Sequence, residues 1–346
     1  MAPPHDSVTL QFSRKKLLVN EGTDIRDQLS AVVLDGEHLW LACDEGCRLD
    51  RLSRSEGGAA FADHEVVGLD TLLDLPAQVE EEADVEGLAV DGGWLWLVGS
   101  HSVKRKKPKG KSPSEVARTL LETTRDGNRH LLARIPIADG TLRRKDGARR
   151  AAMLEAAPTT SALLDAVNRD DHLKDFVRLP GKDNGFDIEG LAARGLRLWV
   201  GLRGPVLREW CCILELQLEV SGGQLRLAGS GDGLYRKHFL KLGGLGVRDI
   251  ALLDDDLLIM AGPSMAHDGP SGIWRWKRGA RAGATAEGNA VKQVIALPQG
   301  ERQDKPEGLT VLDRTGRSAS VLVVYDAPSD ERKSGARSVR ADVYRL

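Results

Sequence analysis

The sequence predicts an all-β fold: a single five-bladed β-propeller spanning residues 1–346, with six blades as the alternative count. Three observations predict it. A short segment recurs with its first position at residues 30, 86, 189, 248 and 307, as Ser30-Ala-Val, Glu86-Gly-Leu, Glu189-Gly-Leu, Arg248-Asp-Ile and Glu307-Gly-Leu. Each copy runs on as an apolar stretch, a turn through Asp, Gly or Arg, and a second apolar stretch, the pattern of an antiparallel hairpin. In the first three copies a tryptophan stands ten residues further on, at Trp40, Trp96 and Trp199.

A third strand candidate follows each hairpin. These begin at Cys47, His130, Trp210, Gly272 and Ser338. Leu75-Pro76, Leu179-Pro180 and Leu297-Pro298 precede three of the copies, and runs such as Phe176–Pro180 and Val291–Pro298 read as outer strands. Four short strands in a unit of roughly 55–60 residues is the grammar of a propeller blade. The intervals between first positions are 56, 103, 59 and 59 residues. The long one reads as a second blade carrying insertions at 103–129 and 148–175; a degenerate sixth blade near 130–175 is the alternative. The last copy holds only three strands, so the segment Lys15–Asn20 is expected to close the ring and remove its open sheet edges.

The insertions read as helical. Ser114 is placed as the cap of a short helix over 114–124, and Ala151–Ala157 and Ser161–Val167 carry Ala-rich helical text. The first insertion also holds a basic cluster that opens Lys104, Arg105, Lys106, Lys107. Such a cluster suits a phosphate-bearing or protein partner, but a solvated loop is the favoured reading.

Composition agrees with one large folded domain. Hydrophobic residues make up 41% of 346 and charged residues 29%, enough for a core and too apolar for a disordered chain. The net charge of −2 argues against a dedicated nucleic-acid binder. The 38 glycines fit frequent turns. No apolar run reaches the length of a signal peptide core or a membrane span, so the expectation is a cytoplasmic protein, monomeric and away from membranes. Cys43, Cys47, Cys211 and Cys212 lack zinc-site spacing and read as ordinary reduced thiols.

In a propeller, the loop entering the innermost strand and the loop leaving the second strand share one face. That face should gather Ser30, Glu86, Glu189, Arg248 and Glu307, together with Asp44, Glu45, Ser100, His101, Arg203, Ser264 and Asp326, with Asp84, Asp187 and Asp249 close by. Three chemistries compete for it. Glu86, Glu189 and Glu307 are candidate ligands for calcium or magnesium, hard cations that prefer oxygen. A bound ion would activate water for hydrolysis of an ester, lactone or phosphate, with His101 or a carboxylate as base. Alternatively, Arg203 and Arg248 neutralise the glutamates internally. The third reading is recognition of a partner protein or charged peptide. Nucleophile-elbow, His-Glu-x-x-His and P-loop motifs are absent, so a catalytic assignment rests on the ring alone.

The run Asp187-Ile-Glu189-Gly-Leu191, followed by Gly201-Leu-Arg203-Gly-Pro205-Val-Leu207, resembles the signature of a bacterial domain-of-unknown-function family, number 3616. The likeness is concentrated in residues 183–216. It implies a cytoplasmic, propeller-like protein without an assigned activity, and it singles out Glu189, Arg203 and Pro205. Trp210-Cys211-Cys212 departs from the small apolar residues usual there. The combined expectation is a non-enzymatic binding or regulatory propeller that holds a protein partner with one face and the second-blade insertion. A divalent-metal-dependent hydrolase is the alternative.

Overall fold

In the computed structural model, residues 3–19, 22–108, 112–229, 233–281, 290–298, 303–316 and 318–346 are described. The chain is mostly β and propeller-like. Its strands form consecutive antiparallel units, each starting at a recurring segment. Unit 1 comprises Leu29–Asp35, His38–Cys43, Arg48–Arg54 and Ala60–Gly68. Unit 2 comprises Val85–Asp91, Trp94–Gly99 and Leu132–Ala138, edged by Ala152–Met153. Unit 3 comprises Asp187–Arg194, Arg197–Gly204, Trp210–Ser221 and Tyr235–Lys241. Unit 4 comprises Gly246–Leu253, Asp256–Gly262, Gly272–Trp276 and Val291–Ala296. Unit 5 comprises Lys305–Thr315, Ser318–Asp326 and Ser338–Arg345, and takes Asp6–Gln11 as its fourth strand.

The first strands of units 1, 2, 3, 4 and 5 each pack against the next, and the fifth packs against the first. The hydrophobic core is divided in the same way. Trp40 packs with Leu88, Leu95 and Leu97 between units 1 and 2, Trp96 with Leu191, Leu198 and Val200 between units 2 and 3, and Trp199 with Ile250, Leu257 and Ile259 between units 3 and 4. Further clusters join unit 4 to unit 5 and unit 5 to unit 1. The recurring tryptophans therefore fill the gaps between units, where a large flat side chain removes the most surface from water.

Closure uses a different N-terminal segment from the expected one. Asp6–Gln11 pairs antiparallel with Ser338–Arg345, because Val8, Leu10 and Phe12 alternate inward to a buried face. Arg14–Lys16 is a turn of 3₁₀ helix, and Asn20 lies outside the described residues. The outer-strand reading of Phe176–Pro180 is also corrected: Lys174–Phe176 is a 3₁₀ turn, and the edge of unit 2 is occupied by Ala152–Met153.

The insertions are only partly helical. The helix Pro113–Thr119 is capped by Ser112, not Ser114: Ser112 Oγ accepts from Glu115 N, while Glu115 returns a carboxylate to Ser112 N at 3.0 Å. Ala162–Val167 is a helix capped by Ser161. Ala152–Met153 and Ala156–Ala157 are short strands despite their alanine-rich text, because pairing to neighbouring strands overrides a weak local helix preference. Among the described residues no helix is long and apolar enough to cross a membrane.

Candidate functional site

In all of these inner strands the ladder to the second strand slips at the same place. Pairing passes from Leu29 to Ala31, Val85 to Gly87, Ile188 to Gly190, Val247 to Asp249, and Pro306 to Gly308. The skipped residues are Ser30, Glu86, Glu189, Arg248 and Glu307. A β-bulge leaves its residue out of the ladder and re-aims the side chain. The glycine after each glutamate has its own reason. A Cβ on Gly87 would lie 2.7 Å from Leu191 Cβ, and one on Gly308 would lie 3.0 Å from Val32 N. Glu-Gly thus combines a bulge residue with the closest approach between neighbouring inner strands.

The ring residues engage one another across units. Arg203 Nη1 lies 2.7 Å from Glu189 Oε1, and Arg248 Nε lies 2.9 Å from Glu189 Oε2. Arg248 Nη2 also pairs with Glu307 Oε1. Arg203 Nε donates to Ser264 O at 3.0 Å. Ser30 Oγ donates to Val85 O at 2.6 Å, linking units 1 and 2. Asp249 accepts from Ile250 N and Leu309 N, both at 2.7 Å, and from Leu191 N, so it joins units 3, 4 and 5. Glu86 differs: it is 8% exposed, and among the described residues its carboxylate has neither hydrogen bond nor ion pair. Each of Glu86, Glu189 and Glu307 offers an oxygen within 4.8 Å of the others.

The crowding of acids is felt in their titration. Burial, then the charges of Asp44, Asp84, Glu189 and Asp187, hold Glu86 well above the usual carboxylate range. Asp44 is pushed up to about 7 by burial and by Asp326 and Asp84. Asp187 also reaches about 7, through burial and Glu189, with Arg203 opposing. Burial raises Asp249 too, against the backbone N–H groups that it accepts.

Other expected residues fall elsewhere. Asp44 and Asp326 border the ring, and Asp326 faces Lys305 at 3.7 Å. Glu45 accepts from Gln28 Nε2 at 2.9 Å. His101 points away from the acids: its Nδ1 lies 2.9 Å from Gly99 O, and its ring neighbours His130. Full burial lowers its pKa to about 3, so it is neutral, and its Nε2 makes no hydrogen bond to the carboxylates it was expected to serve. Pro205 is buried just after the second strand of unit 3.

The basic cluster is largely engaged. Lys104 pairs with Glu82 at 2.8 Å, Arg105 with Asp183 at 2.7 Å and Lys106 with Glu122 at 2.7 Å, while Lys107 is exposed. The rest of the cluster, 109–111, lies outside the described residues. A residue missed in the sequence is Arg129. It is buried and pairs with Asp84 at 2.5 Å and Glu82 at 2.9 Å. Its only sequence signal was its place before the third strand of unit 2, beside the ring.

The model of the family described as Protein of unknown function (DUF3616) matches residues 28–342. The chain belongs to this family. The match spans every recurring segment, well beyond the 183–216 run that first suggested it. The comparison with curated proteins finds no match. Among solved structures, glutaminyl cyclase of Myxococcus xanthus is similar at 12% identity and a TM-score of 0.41, over 99% of this chain and 100% of that one. A luciferin-regenerating enzyme is similar at 10% identity and 0.36, over 98% and 94%. The Cps50 (Swd1) β-propeller domain of Myceliophteria thermophila is similar at 9% identity and 0.35, over 92% and 97%. Likeness at this level says nothing about chemistry.

Proposed function

We propose that the chain is a single five-bladed β-propeller, the five units being its blades, and that it works as a non-enzymatic binding or regulatory protein. It holds a protein partner on the face that carries the acidic channel mouth and the second-unit insertion. One observation carries this reading. Because strands alternate in direction, loops entering a first strand and leaving a second strand lie at one end. Leu18, Val79 and Leu179 are on entering loops; Leu120, Leu121 and Met265 are on leaving loops. All six are large exposed apolar residues, and Leu121 is 81% exposed. Of the described residues in that class, only Val220 and Val294 lie elsewhere. Exposed apolar residues gathered on one face mark an interaction surface.

Three loops of this face are tied together, which supports a rigid platform. Arg105 of the insertion pairs with Asp183, and Ala266 N donates to Lys182 O at 3.4 Å. The four free thiols suit the reducing cytoplasm. The hydrolase reading ranks behind, since His101, its expected base, lies against Gly99 O and His130.

The test is affinity purification of the tagged full chain from its own cells, with quantitative comparison of variants. Leu121→Glu and Met265→Glu should each remove the same protein from the captured set, and Val220→Glu should retain it. An identical captured set for all three variants would sink the reading. Deleting 103–129 is a poorer test, because it also removes buried Arg129.

A further inference from the structure

We propose that Glu86, Glu189 and Glu307 form a divalent-cation site that takes calcium, lying on the axis where the inner strands converge. The site lies at the acidic mouth on the face assigned to the partner, and the inference does not require that partner.

The first support is geometry. The three bulges deliver one oxygen each from units 2, 3 and 5, within 4.8 Å of one another. Three atoms so placed share a point no more than about 2.8 Å from any of them, within reach of the 2.3–2.6 Å of calcium–oxygen contacts.

The second support is Glu86. More than nine-tenths of it is buried, it has no partner among the described residues, and its carboxylate is aimed at the oxygens of Glu189 and Glu307. A buried carboxylate is normally paired. Here Arg203 and Arg248 make their ion pairs with Glu189 and Glu307 and act on Glu86 only through their field, without a contact. The surrounding charge has the same sign. Among the described residues, Asp44, Asp84, Glu86, Asp187, Glu189 and Glu307 meet the guanidinium groups of Arg129, Arg203 and Arg248, with Lys182 at the edge. Arg248 sits beside the ligands and opposes an incoming cation, so the affinity belongs to the weak end of calcium sites, about 10⁻⁴–10⁻³ M.

The experiment is thermal melting and calorimetric titration of the full chain, stripped with EDTA, against calcium chloride and magnesium chloride. Calcium should raise Tm in a concentration-dependent way, and the magnesium titration shows whether the smaller ion is accepted as well. Glu86→Gln removes a crowded charge, so in EDTA it should melt at or above the parent temperature. It should lose the calcium-dependent rise, with affinity falling about tenfold or more. Glu45→Gln, on the same face and outside the cluster, should keep the rise. An unchanged melt of the parent chain in millimolar calcium would overturn the proposal, as would a Glu86→Gln chain that keeps the full calcium response.

Discussion

Arg248 Nε lies 2.9 Å from Glu189 Oε2, so an arginine of the fourth unit is held by a glutamate of the third across the centre of the ring. Both side chains are buried, and the same guanidinium reaches Glu307 of the fifth unit. One residue thereby connects three sheets. Arg248→Met would leave both glutamates without this cation. Removing one partner of a buried pair costs about 3–5 kcal/mol. Urea unfolding should show that loss, and the double variant Arg248→Met, Glu189→Gln should recover part of it. A loss below about 1 kcal/mol would mean that the pair is dispensable.

Gly190 lies where the inner strands of units 3 and 4 nearly touch. A Cβ there would lie 3.1 Å from both the Cα and the carbonyl carbon of Asp249, and 3.0 Å from Ile250 Cγ1. Two of those atoms are backbone, so neither can swing aside. Gly190→Ala should destabilise the chain by about 1–3 kcal/mol, the usual cost of overpacking. Gly195→Ala is a useful contrast, since its Cβ would meet open space and its penalty would come from backbone conformation alone. Equal contacts in a crystal structure of Gly190→Ala, with unchanged stability, would contradict the close approach.

Asp44 couples the ring to pH. Its usual value of 3.8 rises to about 7 in the folded chain, through burial and the charges of Asp326 and Asp84. The folded state therefore binds more protons than the unfolded state between those values. Stability contributed at this residue is present at low pH and is lost as pH rises through about 7. Asp44→Asn, which cannot ionise, should match the parent chain near pH 4 and melt higher than it at pH 8. Urea melts at the two pH values measure the difference, and a variant less stable than the parent at pH 8 would refute the coupling.

Much of this arrangement was legible in the chain. The alternation after Ser30, Glu86, Glu189, Arg248 and Glu307 is local, since period-two patterning depends only on which face of a strand is buried. The third strands followed from the same rule, as in Leu132–Ala138 and Trp210–Ser221. Trp40, Trp96 and Trp199 kept equivalent places because each fills the gap before the next unit. The expected edges fared worse. Ala152–Met153 has helical composition but lies along Ala133 and Arg134, and Asp6–Gln11 outcompeted the apolar text after Lys15 for the edge of unit 5. Edge strands are chosen by what is left to pair, which is a property of the assembled sheet.

By itself the sequence determined the repeating strands, the recurring glutamates and the family to which the chain belongs. Tertiary structure decided what those glutamates meet. The bulge that turns Glu86, Glu189 and Glu307 toward one another arises only when an inner strand pairs with its neighbour. The left-handed backbone at His101, with φ of 55°, carries that ring toward His130 and away from the acids. Arg203 and Arg248 found Glu189, while Glu86 was left, among the described residues, without an ion pair and crowded by Asp44 and Asp84. Electrostatic partnership depends on distances of a few ångströms between residues far apart in sequence, and only closure of the ring sets those distances.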